Sequence, residues 1–210
     1  MMSSMQRGRR RPRVSGDERE SAILATAERL LGERPYAEIS TDDLARGAGI
    51  SRPTFYFYFA SKDAVLLALL DRVSVEAHAG ATEALELSRS DDPRVLWRAA
   101  IRTFYETFSA HRPVALAAAQ ARVTSPEVSA LWAGIVEGWV GRTQLAIESE
   151  RARGAAPAGL PARDLAIALT SMNERVSYGT FGGFEPAITG PHVVDVLLDV
   201  WLAAIYRGRL

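Results

Sequence analysis

Few residues of this chain are placed to make or break bonds. Cysteine is absent, and the three histidines, His78, His111 and His192, fall in separate segments. None of them has a second histidine or a carboxylate at metal-ligand spacing, so no metal site is expected. There is no G-x-S-x-G elbow, no G-x-G-x-x-G turn and no lysine-bearing phosphate loop; the glycine cluster from Gly179 to Gly183 follows a helical pattern where a nucleotide fold needs a strand. One polar pair, Asn173 and Glu174, sits among apolar neighbours. It suits a structural contact or the orientation of a ligand, and catalysis hardly at all, because no nucleophile stands beside a base. The expectation is therefore a protein that is not an enzyme and needs no cofactor.

The remaining pattern points to binding. Trp97, Ile101, Phe104 and Phe108 recur at i, i+4, i+7 and i+11, an aromatic stripe down one helix face. A second helical pattern carries Trp132, Val136, Trp139 and Thr143, a third carries Asn173 and Glu174 with Tyr178 beyond them, and Trp201 lies in a fourth. Gly134, Gly138 and Gly141 interrupt the second of these, at about 1 kcal/mol each relative to alanine. A helix that tolerates them either packs very closely on a neighbour or borders open space. Each aromatic taken singly reads as core; taken together with the glycines they suggest a bundle built around an aromatic-walled cavity.

These residues need positioning, and one stretch organises the rest. Ser40 can cap a short helix with Asp42 and Asp43 in its first turn, and Leu44, Ala45 and Ala48 give it an apolar face. Gly47 and Gly49 bracket its end, with Gly49 able to adopt the left-handed conformation. Ser51 is a second cap, Arg52 and Pro53 fall where a first turn accepts proline, and Ser61 can cap the helix that follows. Two seven-residue helices around a glycine turn have the spacing of a helix-turn-helix, whose second helix can enter a major groove. A helix from Asp17, stopped by Gly32 and Pro35, would supply the floor, with Ile23, Leu30, Ile39, Leu44, Ala48, Ile50, Phe55 and Phe59 as a shared core.

The 210 residues carry 25 basic and 25 acidic side chains, so whole-chain charge does not advertise a nucleic-acid partner. Its distribution does: residues 1–16 hold Arg7, Arg9, Arg10, Arg11 and Arg13 with no acid. That arm is either a solubilising tail or a segment lying along DNA phosphates or in a minor groove. No apolar run approaches the roughly 20 residues of a membrane span, so no membrane partner is expected and the chain reads as cytoplasmic. Helical patterns continue over about 64–86, 95–108, 114–122, 126 onward, 165–180 and from His192, the last apolar on most sides and unsuited to the surface of a monomer. No strand-like alternation of useful length occurs. The expectation is an all-α protein of about nine helices: a flexible basic arm over 1–16, a three-helix DNA-binding head over 17–62, and a ligand-binding and dimerisation bundle over 63–210.

The run from Ser40 to Leu66, with its D-x-L-A-x-x-A-G-I core at Asp42–Ile50 and S-x-x-T-x-Y-x-Y-F segment at Ser51–Phe59, resembles the head of the tetracycline-repressor family. The likeness extends from Ile23 to about Asp71. A wider resemblance, carried by Gly8–Leu31, Ser51–Phe59, the Met172–Arg175 tetrapeptide and the final tryptophan helix, is to a mycobacterial branch of that family. It implies a long, mostly apolar channel lined by Trp97, Phe104, Phe108, Trp132, Val136, Trp139, Thr143, Asn173, Glu174, Tyr178 and Trp201. Four channel positions depart from the branch: Val136 stands for a methionine, Arg142 for a tyrosine, Thr170 for an asparagine and Ser177 for a leucine, which makes this pocket more polar and differently shaped. The head pattern further implies that Arg52 and Thr54, with Pro53 beside them, reach base edges, that Thr41, Tyr56, Tyr58 and Lys62 hold phosphates, and that Arg9, Arg10 and Arg11 add nonspecific affinity. The implied protein is a repressor that binds double-stranded operator DNA as a homodimer through its last two helices and is released by a small apolar effector. A hydrophobic-ligand carrier or small enzyme using the cavity is the alternative.

Overall fold

The computed structural model describes residues 16–88 and 92–206, and only the backbone of 84–88. The basic arm, with Arg9, Arg10 and Arg11, lies outside the described residues, except that Gly16 already opens the first helix. Nine α-helices and no strand occur among the described residues: α1 Gly16–Glu33, α2 Thr41–Gly47, α3 Arg52–Tyr58, α4 Lys62–Ser88, α5 Pro93–Ala110, α6 Arg112–Ala121, α7 Pro126–Ala152, α8 Ala162–Gly182 and α9 Gly190–Tyr206. A single 3-10 turn, Tyr36–Glu38, joins α1 to α2. The all-helical expectation is met.

Capping explains most of the boundaries. The Ser40 hydroxyl accepts from Asp43 N at 3.2 Å while the Asp43 carboxylate takes Ser40 N at 3.0 Å, a reciprocal box that satisfies two orphan donors at the start of α2. The Ser40 hydroxyl donating to the Asp43 carboxylate at 2.6 Å, then Ser40 N, and then Arg34 at 3.0 Å hold the Asp43 carboxyl at about 2. Gly49 turns the chain into α3 at φ +68°, Ser51 caps that helix, and Ser61 caps α4 through Ala64 N at 3.1 Å. α4 and α9 each begin two residues earlier than their apolar patterns suggest; in α9 Pro191 falls in the first turn, where a missing N–H removes no helical bond. α7 runs unbroken for 27 residues through its three glycines. Only Gly138 meets a neighbour closely, with His78 of α4 against it; Gly134 and Gly141 face open space.

Two apolar cores form. The first joins Ile23, Leu44, Phe55 and Phe59 of the head to α4, to Val114 and Ala118 of α6, and to Phe108, Ile135 and Trp139. The second gathers Trp97, Ile101, Val140, Ile147, Leu169, Leu198, Trp201 and Tyr206 from α5, α7, α8 and α9. The head thus has no separate core: α1 packs on both α4 and α6. Phe55 and Phe59 point inward as expected, while Ala48 and Ile50 are only half-buried. In the second core the Trp97 indole donates to the Tyr206 hydroxyl at 2.9 Å, and that hydroxyl donates to Glu150 at 2.6 Å, so these three buried polar groups are paired.

Candidate functional site

Two faces of the molecule carry the residues singled out above. On the outer side of the head, Arg52 and Tyr56 occupy adjacent turns of α3 and are exposed. The Arg52 guanidinium reaches Asp42 at 3.3 Å and the Tyr56 hydroxyl at 3.4 Å, and its carbon stands 5.7 Å from the Tyr56 ring centre. Tyr56 also meets the Thr41 hydroxyl at 3.4 Å. Thr41 and Arg52 together lower the Tyr56 pKa, because both favour the phenolate. Pro53 is exposed, and the half-buried Thr54 shares its hydroxyl with Ser51 at 2.8 Å. Thr41, Arg52 and Tyr56 therefore form one cluster, with Pro53 and Thr54 beside Arg52 in the first turn of α3.

Tyr58 and Lys62 sit apart from it. Tyr58 is half-buried and packs against the first core. The Lys62 ammonium donates to the carbonyls of Tyr36 at 3.0 Å and Ile39 at 3.1 Å and lies 4.4 Å from the Tyr36 ring centre. Tyr36 in turn donates its hydroxyl to Asp63, and burial first, then this carboxylate, pushes its pKa upward. Lys62 is thus tied to the 3-10 turn, fastening α4 to the head. Sequence reasoning passed over Phe57, which is 82% exposed on α3. The signal was available: with Phe55 and Phe59 inward at i and i+4, the residue between them must face the other way.

In the bundle, the fourteen residues expected at a ligand cavity line two adjoining cavities. The smaller, about 40 Å³, is walled by Phe108, Trp132, Val136, Glu174, Ser177 and Tyr178. The larger, about 410 Å³, is walled by Trp97, Arg142, Thr143, Asn173 and Trp201. Phe104, Trp139 and Thr170 border both. Phe104 meets Trp139 edge to face with ring centres 5.3 Å apart, which makes a waist between the chambers. The waist lies at the seam of the two cores: Trp139 and Phe108 belong to the first, Trp97 and Trp201 to the second.

The polar groups of the lining fall into paired and unpaired sets. Asn173 accepts from the Trp201 indole at 3.0 Å, and Glu174 takes the Arg122 guanidinium at 2.7 Å while Arg122 lies 5.1 Å from the Trp132 ring centre. Trp132 Nε1, Trp139 Nε1, Thr170 Oγ1 and Ser177 Oγ are buried without a hydrogen-bond partner. Such groups cost about 1–3 kcal/mol each unless something answers them. Behind Trp139, with ring centres 4.9 Å apart, stacks His78; burial, and then the charge of Arg142, hold its pKa below the ordinary 6.5.

Arg122 and His78 were not legible as parts of this site, since nothing in their spacing separates them from a helix end or a helix surface. Ala115 and Ala119 of the alanine-rich α6, at i and i+4 on the wall of the smaller chamber, were also not assigned to it from the sequence. Among the described residues no group of three or more His, Cys, Asp or Glu is placed to hold a metal ion, and no helix is long and apolar enough to cross a membrane.

Comparison with known proteins agrees with this division. The family description "Bacterial regulatory proteins, tetR family" matches residues 23–69, and "Transcriptional regulator EthR, C-terminal domain" matches residues 97–207. The chain is 51% identical over 204 residues to the HTH-type transcriptional regulator EthR of Mycobacterium tuberculosis, covering 97% of this chain and 94% of that one. Against EthR of Mycolicibacterium smegmatis the identity is 48% over 200 residues, covering 95% and 92%. A TetR-family regulator of known structure from Rhodococcus sp. shares the fold at a TM-score of 0.74 and 20% identity, over 88% of this chain and 99% of that one. Proteins of this kind generally bind operator DNA as dimers and respond to small ligands. The chain belongs to the tetR family, in the group with an EthR-type C-terminal domain, and is a ligand-responsive, DNA-binding transcriptional regulator.

Proposed function

We propose that the protein is a dimeric repressor that leaves its operator when a small, largely apolar ligand fills the bundle. The division of labour is the one read from the sequence: an arm over 1–16, a head over 17–62 and a ligand and dimer domain over 63–210. α3 enters the major groove with Arg52, Pro53 and Thr54 toward base edges. Thr41, Tyr56, Tyr58 and Lys62 lie toward the phosphates, and Arg9, Arg10 and Arg11 add nonspecific affinity. Lys62 reaches a phosphate only by giving up a carbonyl of the 3-10 turn, so its contact and the seating of the head on α4 are linked.

One observation carries the reading: the cavities lie where the core that includes the head meets the core of the last helices. A ligand that wedges this seam moves α4, and with it the head. Heads of a dimer must stand about 34–36 Å apart to enter successive major grooves. A ligand that fits only a different spacing withdraws the protein from DNA by its differential affinity for the two arrangements. The dimer itself is proposed to form through α8 and α9. Val196 and Val200, 41% and 43% exposed at i and i+4 of α9, and Ile167 of α8, 42% exposed, offer an apolar strip there.

The test is a mobility shift on the intergenic DNA upstream of the protein's own gene, with and without a panel of apolar ligands, alongside sedimentation of the free protein. A specific shift reversed by a ligand that binds the cavity is expected. A monomer at micromolar concentration, or a ligand that binds tightly and leaves DNA affinity unchanged, contradicts it.

A further inference from the structure

The larger cavity has a charge balance that a purely apolar ligand does not meet. Among the described residues Arg142 is its one charged lining residue. It is exposed, at the mouth beside Leu145, and among the described residues it forms no ion pair; its guanidinium carbon stands 5.7 Å from the Trp139 ring centre. Its charge is felt within the bundle, since it contributes to lowering the pKa of His78. The neutral groups around it are short of acceptors too. Trp139 Nε1, a pure donor, is buried with no partner. Asn173 spends its carbonyl oxygen on Trp201, which leaves its NH2 as the group to offer. Glu174, the one acidic lining residue of either chamber, borders the smaller one and is held by Arg122 at 2.7 Å.

A lining whose described residues offer one unpaired cation and unanswered donors calls for a ligand that brings one negative charge and oxygen acceptors. A doubly charged head would need a second cation, and the described residues of this lining supply none. We propose that the larger cavity takes an amphiphilic carboxylic acid, its carboxylate in the fork of Arg142 at the mouth and its apolar tail running inward between Trp97, Ile101 and Trp201. The planar guanidinium matches a carboxylate with two parallel hydrogen bonds, whereas a lysine in its place would offer only a point charge. This assignment rests on the ligand-cavity reading above and narrows it to a chemical class.

The test compares dodecanoate with dodecanol, matched in tail, by titration calorimetry on the full-length protein below the aggregation limit of either probe. Wild type is expected to bind the acid about tenfold or more tightly than the alcohol, the range of a charge-assisted hydrogen bond. Arg142→Gln is expected to bring that ratio close to one, and Arg142→Lys to leave it in between. Equal affinities in wild type, or a preference for the acid that survives Arg142→Gln, overturn the acid head and leave the cavity reading standing. Failure of wild type to bind either probe overturns both. A preference for dodecanoate without release of operator DNA supports the acid head and counts against the release mechanism alone.

Discussion

His111 Nδ1, at the corner between α5 and α6, lies 2.5 Å from the carboxylate of Glu28 on α1, a polar contact that crosses from the bundle to the head. Its other ring nitrogen stands 3.3 Å from Glu76 of α4. One imidazole therefore touches the head, the long connecting helix and the bundle at once. If α4 transmits ligand binding to the head, this contact should be part of the route. His111→Ala is expected to leave ligand affinity within a few-fold and to shrink the ratio of DNA affinities without and with ligand by about fivefold or more, at the low end of measured coupling energies. Fluorescence anisotropy of labelled operator, with ligand absent and saturating, reads both terms.

Acid should weaken the fold through His78. Its pKa is lowered in the folded protein, so between that value and 6.5 the unfolded chain binds more protons and stability falls as pH falls. The contribution is complete above about 6.5, declines as pH drops through the window, and levels off below the folded value. Urea midpoints from pH 8 to pH 5 should show this, and His78→Phe, which keeps an aromatic ring against Trp139, should flatten the profile. An unchanged slope in the variant would place the acid sensitivity elsewhere.

Thr170 is buried at the waist with a hydroxyl that no protein group answers. Thr170→Val keeps the shape and removes the unmet donor, so the ligand-free protein should gain about 1 kcal/mol. A thermal midpoint that rises by a few degrees is the expected sign. A fall of similar size would mean that the hydroxyl has a partner in solution.

Phe57 separates stability from DNA affinity. A side chain 82% exposed contributes almost nothing to packing, so Phe57→Ala should change folding stability by no more than about 0.5 kcal/mol. With α3 in the major groove as proposed, Phe57 would meet base edges such as a thymine methyl. Operator affinity should drop several-fold with the thermal midpoint unmoved. Full affinity in the variant would take Phe57 off the interface.

Much of this protein is decided by local chemistry. Ser40, Ser51, Ser61 and Ser125 mark helix starts because a hydroxyl next to an apolar run can satisfy orphan donors wherever the helix later packs. The same holds for Gly49, whose left-handed turn fixes the geometry between α2 and α3, and for the aromatic stripe of α5, whose periodicity says which face is buried. The residues around the cavities were legible for that reason, helped by the family likeness of the chain.

Long-range pairing decided the rest. That Lys62 fastens the 3-10 turn, that Arg122 at the end of α6 neutralises Glu174 52 residues away, and that His111 bridges α1 and α4 all depend on helix placement, which carries no local signature. The division into two cores also comes from packing: α1 needs a larger apolar surface than α2 and α3 provide, and it finds it on α4 and α6. The sequence determined which faces must be buried. Only the fold determined which face meets which, and so left a seam wide enough for a ligand at Trp139.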